Sequence, residues 1–246
     1  MNKVYEDDVV TLYNNNVEDI IDKLKFDYII SDPPYNIKYK YPDYDDNMKE
    51  TDYINLFNSL KGYKSVIIHY PEQIVNVVGP ALGKVNKMIS WCYNNNGSSR
   101  AHRSLAFFNC NPDFTKVKQP YKNVNDKRIK QLIEKGSEGA RLYDWFNDIQ
   151  MIKNVSKEKC KEFTNQIPIK LLERIILLTT NEGDVVLDPF FGSGSIYEAC
   201  KNTKRKCIGI EISKTHIDIA IDRITKTQKV EVPSPKKKKK KLIIKN

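Results

Sequence analysis

Residues 26–31 (FDYIIS) are apolar without strict alternation, and the run stops at Asp32-Pro33-Pro34. Such a run reads as a strand buried on both faces, since a strand with one wet face alternates polar and apolar positions. Two successive prolines supply no ladder N–H groups, so the strand ends where Asp32 begins. A strand of this kind needs helices on either side, and the rest of the chain provides them. Apolar runs at 9–13, 65–69, 87–93, 184–190 and 206–212 alternate with helical patterns at 17–24, 51–60, 72–78, 168–179, 195–201 and 214–225. The alternation predicts an α/β fold with a doubly wound, mostly parallel sheet.

Between 94 and 164 the alternation fails. A predicted strand at 103–109 and a predicted helix at 126–135 interrupt a polar, turn-rich stretch that reads as an insertion. The expected divisions are therefore 1–93, the insertion 94–164, 165–227, and a Pro-punctuated tail 228–246 that can bury nothing and is predicted to be disordered. Charge follows these divisions. The net +10 includes seven Lys and no acid from residue 236 onward, whereas residues 1–60 carry −7 and residues 100–162 carry +6. A polyanion is expected at the insertion.

No stretch approaches the roughly 18 to 20 apolar residues of a membrane span, and the acidic N-terminus lacks a secretory layout. The expectation is a soluble, cytoplasmic protein without a membrane partner, or a nuclear one through Lys236 to Lys241 in a eukaryotic host. Five cysteines with no CxxC pair suit neither a disulfide framework nor a zinc site, so no metal is expected.

Two motifs sit at predicted strand ends. Asp188-Pro-Phe-Phe-Gly-Ser-Gly-Ser195 joins a strand to a helix, and its glycines let the backbone turn and approach a ligand closely. Glu211, 17 residues past Gly194, suits the hydroxyls of a ribose. Tyr197 stands where a dinucleotide fingerprint has its third glycine, and the loop alone is equally a structural turn. In Ser31-Asp-Pro-Pro-Tyr-Asn36, a rigid turn holds a carboxylate and a proline carbonyl beside an aromatic ring. Acceptors plus a ring suit an exocyclic amine on a planar base.

Together, DPPY and the FxGxG of Phe190, Gly192 and Gly194, about 155 residues apart, resemble the amino-group DNA methyltransferases that use S-adenosylmethionine, in the arrangement with DPPY first. The likeness covers most of 9–93 and 144–226, including 164–168 (TNQIP) before the helix that follows. It implies a Rossmann-like sheet of seven strands. Asp188, Phe190, Gly192 and Gly194, with Ser195, would surround the methionine part of the cofactor, and Glu211 would hold its ribose. Asn16 stands where the family usually has Asp, Ile167 where it has Lys, and Ser195 where it has Thr. Asp32 and the Pro33 carbonyl would accept from the target amine, Pro34 completing the turn and Tyr35 stacking on a base flipped out of double-stranded DNA. Asp32 would border the cofactor as well.

Phosphate contacts are expected from Arg100, Arg103, Lys127, Arg128 and Lys130 in the insertion. DPPY goes mostly with adenine N6 in this family, with cytosine N4 as the alternative and a silent DNA-binding subunit as a further one. Members often pair, which allows a homodimer; the sequence names no endonuclease partner. His69 reads as structural, His216 carries no signal, and Trp91 and Trp145 read as core or hinge aromatics.

Overall fold

The apolar runs become a single nine-stranded sheet in the computed structural model, which describes residues 1–40, 46–94, 99–163 and 165–231, with backbone alone for 228–231. The chain begins with β1 (Lys3–Glu6), β2 (Val10–Asn14), α1 (Val17–Ile20) and β3 (Tyr28–Ser31). It continues through α2 (Glu50–Asn58), β4 (Ser65–His69), α3 (Pro71–Gln73), α4 (Gly79–Leu82), β5 (Val85–Cys92) and β6 (His102–Phe108). A polar region carries β7 (Lys118–Gln119), α5 (Lys127–Glu134), β8 (Ala140–Arg141) and β9 (Trp145–Phe146). The last part is α6 (Ile169–Thr179), β10 (Val185–Asp188), α7 (Ser195–Asn202), β11 (Lys206–Glu211) and α8 (Lys214–Glu231).

The strand order is β1-β2-β11-β10-β3-β4-β6-β5-β9, with β7 and β8 paired separately. From β2 to β4 the neighbours are parallel, whereas β6 runs antiparallel to both β4 and β5. The expectation is seven strands; the two additional ones, β1 and β9, are short and cap the two edges. The sheet is covered on both sides. Ile30, Val66, Ile68, Leu105, Phe107 and Val186 belong to one core with α6, α7 and α8, while Ile29, Ile67, Ala106, Phe108 and Leu187 belong to another with α1, α2 and α4. Successive side chains of a strand point to opposite faces, so a strand covered twice is apolar at successive positions along its middle, as Tyr28, Ile29 and Ile30 are. This is the physical origin of the FDYIIS pattern.

Two boundaries differ from expectation. Residues 103–108 lie inside the sheet, as part of β6 between β4 and β5, so the predicted insertion begins too early. Strict parallel alternation conceals this, because β5 and β6 pair as an antiparallel hairpin with Trp91 opposite Arg103. Likewise, α8 continues to Glu231, past the predicted start of the tail. The remaining tail residues, 232–246, lie outside the described residues. Among the described residues, no helix is long and apolar enough to cross a membrane.

Candidate functional site

A cavity of about 760 Å³ opens at the C-terminal ends of the parallel strands. Three adjacent strands each deliver a carboxylate to it: Glu211 ends β11, Asp188 ends β10, and Asp32 follows β3. Neighbouring strands lie about 4.8 Å apart, so the three acids form a row along the sheet edge. Asp188 Oδ1 accepts from Ser31 Oγ at 3.3 Å and from the Phe190 N–H at 3.1 Å. Burial pushes its carboxyl up to about 7; the Phe190 bond opposes this, and the charges of Asp32 and Glu211 add to it. Glu211 accepts the Gly192 N–H at Oε2 (2.9 Å) and the Ser213 N–H at Oε1 (3.0 Å). Each oxygen keeps a further lone pair, which suits two adjacent hydroxyls.

The glycine turn works as its residue types require. Gly192 (φ 49°) brings its backbone N–H to Glu211, and Gly194 (φ 74°) is the left-handed N-cap of α7. A Cβ at Gly194 would stand 3.1 Å from the Phe191 ring. Gly194 therefore shapes the turn from behind, while Phe190, Gly192 and Ser195 line the cavity. Asn16 lines its far end and donates through Nδ2 to Glu18 Oε2 at 3.0 Å. A carboxylate thus stands at this end despite the Asp-to-Asn departure. Glu18 carries no motif in the sequence, and neither does His216, which lies in the cavity wall against Phe163 and 3.7 Å from Glu211.

At the other end, Tyr35 Oη donates to Asp32 Oδ1 at 2.6 Å, and Arg103 Nη1 lies 3.7 Å from Asp32 Oδ2. Burial raises the Asp32 carboxyl; the Arg103 charge and the Tyr35 hydroxyl act against it. One expectation changes here. Arg103 is 3% exposed and sits under the DPPY turn, so it does not reach phosphate from the surface. The sequence places its strand in a surface insertion, but β6 carries it into the sheet. Tyr35, expected to stack on the target base, lines the cavity with its ring stacked on His69 (4.2 Å, 20°), edge-on to Tyr70 and 5.0 Å from the Arg103 guanidinium, and its hydroxyl orients Asp32.

His69 is wholly buried and anchors the same turn. Its Nδ1 accepts the Tyr70 N–H at 2.7 Å, which places the ring proton on Nε2. Nε2 then donates to Tyr53 Oη (2.7 Å), and Tyr53 donates to the Pro34 carbonyl (2.9 Å). Burial, assisted by the Arg103 charge, lowers His69 to about 3, so the ring is neutral and the relay has one direction. Asp46, fully buried, accepts the N–H groups of Asn36 (2.8 Å) and Ile37 (3.0 Å) just past the turn. Pro33 and Pro34 line the cavity between these supports.

The other predicted phosphate contacts stand apart from the cavity. Lys127, Arg128 and Lys130 are exposed on α5. Arg100 pairs with Glu72 at 2.8 Å and lies 4.4 Å over the Tyr70 ring. Trp91 is core, donating to the Ile149 carbonyl at 2.7 Å, whereas Trp145 is 42% exposed and stacked on Tyr143. Among the described residues, no group of three or more His, Cys, Asp or Glu side chains could hold a metal ion.

A family model for N6 and N4 methylases, described as DNA methylase, matches residues 26–222. The type II methyltransferase M.HpaI of Haemophilus parainfluenzae is 30% identical over 230 residues, 83% of this chain and 69% of that protein. M.BamHI of Bacillus amyloliquefaciens is 44% identical over 79 residues, 32% of this chain and 18% of the relative. Among solved structures, the M1.HpyAVI–SAM complex aligns with a TM-score of 0.57 at 24% identity, covering 87% of this chain and 98% of the other. The cytosine-N4-specific PvuII DNA methyltransferase aligns with a TM-score of 0.64 at 14% identity, covering 90% and 88%. These two likenesses are of fold.

Proposed function

The chain belongs to the N6/N4 DNA methylase family, and from that premise we propose that it transfers a methyl group from S-adenosylmethionine to the N6 amino group of an adenine flipped out of double-stranded DNA. The observation that carries this reading is the row of carboxylates along one cavity, with Asp32 at the DPPY end and Glu211 at the glycine-loop end. The donor set fits the cofactor. Asp188 and its acidic neighbours favour a cationic ligand, and Glu211 has acceptor capacity for ribose hydroxyls. Asn16 and Glu18 offer acceptors for an adenine amine, and Ile30, Phe190 and Ile196 give apolar walls. When bound, S-adenosylmethionine supplies an electrophilic methyl group on a sulfonium sulfur.

An aryl amine is a weak nucleophile because its lone pair is delocalised into the ring. Asp32 accepts an amine hydrogen, favours a pyramidal nitrogen and so directs that lone pair into the cavity. Tyr35 holds the carboxylate, and the His69–Tyr53–Pro34 relay holds the turn, so the acceptors are in place before the base arrives. As the amine gains positive charge, ionised Asp32 stabilises it. Positioning and preorganised electrostatics supply the acceleration.

The choice of adenine rests on the Asp of DPPY, with cytosine N4 as the second reading. Nucleoside mass spectrometry of DNA incubated with protein and S-adenosylmethionine decides between them. N6-methyladenine is expected; N4-methylcytosine replaces the substrate, and binding of duplex without transfer indicates a silent subunit. The protein acts in the cytoplasm on this reading, with the polar region around α5 facing DNA.

A further inference from the structure

Arg103 reaches the DPPY turn from the start of β6, the strand that opposes its neighbours, and so meets Asp32 from within the sheet. It is a buried cation with fewer bonds than a buried cation ordinarily has, although the Tyr93 hydroxyl is within hydrogen-bond reach of the guanidinium. Nη1 is within ion-pair reach of Asp32 but beyond hydrogen-bond distance, and neither Nε nor Nη1 has a hydrogen-bond partner among the described residues. Rings surround it instead, those of Tyr35, Trp91 and Tyr70 at 5.0, 5.7 and 6.0 Å. Burying a guanidinium with unbonded donors is costly, and an apolar side chain of similar size in such a place is often neutral or stabilising. Packing therefore does not explain an arginine here. A fixed positive charge next to Asp32 does.

Resting on the methyl-transfer reading, we infer that Arg103 is a positioning residue that keeps Asp32 a charged acceptor, clamped between its guanidinium and the Tyr35 hydroxyl, and thereby sets the pH range in which the site works. The groups facing Asp32 leave Arg103 this part alone. Tyr35, from the same turn, gives one hydrogen bond; Tyr70 and Tyr93, after β4 and β5, are phenols; His69 is neutral; Asp188, on β10, adds negative charge. Without Arg103, only the Tyr35 hydrogen bond opposes the effect of burial, so the carboxyl holds its proton to higher pH and in that form presents a donor to an amine that needs an acceptor.

The test uses the full chain and the variants Arg103→Met and Arg103→Lys. The ionisation of Asp32 is followed by NMR of protein labelled with ¹³C at the aspartate carboxyls, with Asp32→Asn and Asp188→Asn assigning the two signals. Single-turnover transfer to DNA is measured in parallel across pH at saturating cofactor. In Arg103→Met the Asp32 midpoint should rise by about one pH unit or more, and the acid limb of the transfer profile should move with it. On the acid limb, transfer should fall by up to about tenfold per unit by which the midpoint moves and recover at higher pH, while Arg103→Lys stays close to wild type. An unmoved Asp32 midpoint, or a loss equal at every pH, overturns the inference. If Arg103→Met does not fold, Arg103→Gln gives the same comparison. Absence of methyl transfer by the wild-type protein would sink the functional reading, yet the carboxyl titration still decides whether Arg103 governs Asp32.

Discussion

Acidification from about pH 8 to about pH 5 should weaken binding of S-adenosylmethionine while stabilising the ligand-free fold, and both effects trace to Asp188. In the free protein this carboxyl titrates at about 7, raised by burial and by the charges of Asp32 and Glu211. A cationic ligand favours its ionised form, so binding below that pH must expel a proton. The limiting slope is tenfold in affinity per pH unit, about 1.4 kcal/mol, which gives about 10- to 100-fold between pH 7 and pH 5. Stability runs the other way. Because the folded value lies above the ordinary 3.8, the favourable contribution of Asp188 to folding is complete below that value and is lost as pH rises through about 7. Asp188→Asn retains an oxygen for the Phe190 N–H and removes both dependences. Titration calorimetry in buffers of different ionisation enthalpy counts the expelled proton, and scanning calorimetry of the ligand-free protein follows stability. S-adenosylhomocysteine, which lacks the sulfonium charge, should show a shallower pH dependence. Affinity that is flat across this range, or equal proton release by wild type and Asp188→Asn, would refute the reasoning.

Other outcomes follow from the same geometry. Asp32→Ala should lower single-turnover transfer at least about 10²- to 10³-fold while leaving the cofactor dissociation constant within a few fold, as read by calorimetry. Tyr53→Phe breaks the relay between His69 and the Pro34 carbonyl. Its expected cost is about 1 to 3 kcal/mol in denaturant unfolding, with a larger fall in turnover than in cofactor affinity. Neutralising Lys127, Arg128 and Lys130 together should reduce the salt slope of DNA binding by about 0.9 for each phosphate that these side chains neutralise, without altering the base methylated; an unchanged slope removes α5 from the interface.

The sheet is legible in the sequence because its residues obey one physical rule. Runs such as FDYIIS (26–31) and SVIIH (65–69) hold three apolar residues in succession, 28–30 and 66–68, and a strand covered on both faces requires that. The ends of those strands are legible too. Proline and glycine act through backbone geometry close in sequence, so Asp32, Asp188 and Glu211 stand where the motifs place them. What escapes are partners joined across the sheet. Nothing near Arg103 in sequence tells that β6 turns back beside β4, so its charge reads as a surface charge. The support behind Tyr35 escapes for the same reason, since the ring stacked on it, His69, lies 34 residues away. Tyr53 and Asp46 sit in a helix and a polar loop whose composition has no mark of their buried bonds.

The reversal of β6 also bears on how such enzymes can be recombined. Parallel strands present their ends at the working edge, but an antiparallel strand presents its beginning there. The hairpin from Trp91 to Arg103 therefore leaves the sheet at the working edge and returns to it carrying the counter-ion of Asp32. A chimaera that exchanges the polar region around α5 with a junction at residue 94 takes Arg103 from one parent and Asp32 from the other, and so separates the pair. A junction after Cys110 keeps the pair together and leaves the region around α5 free to be replaced.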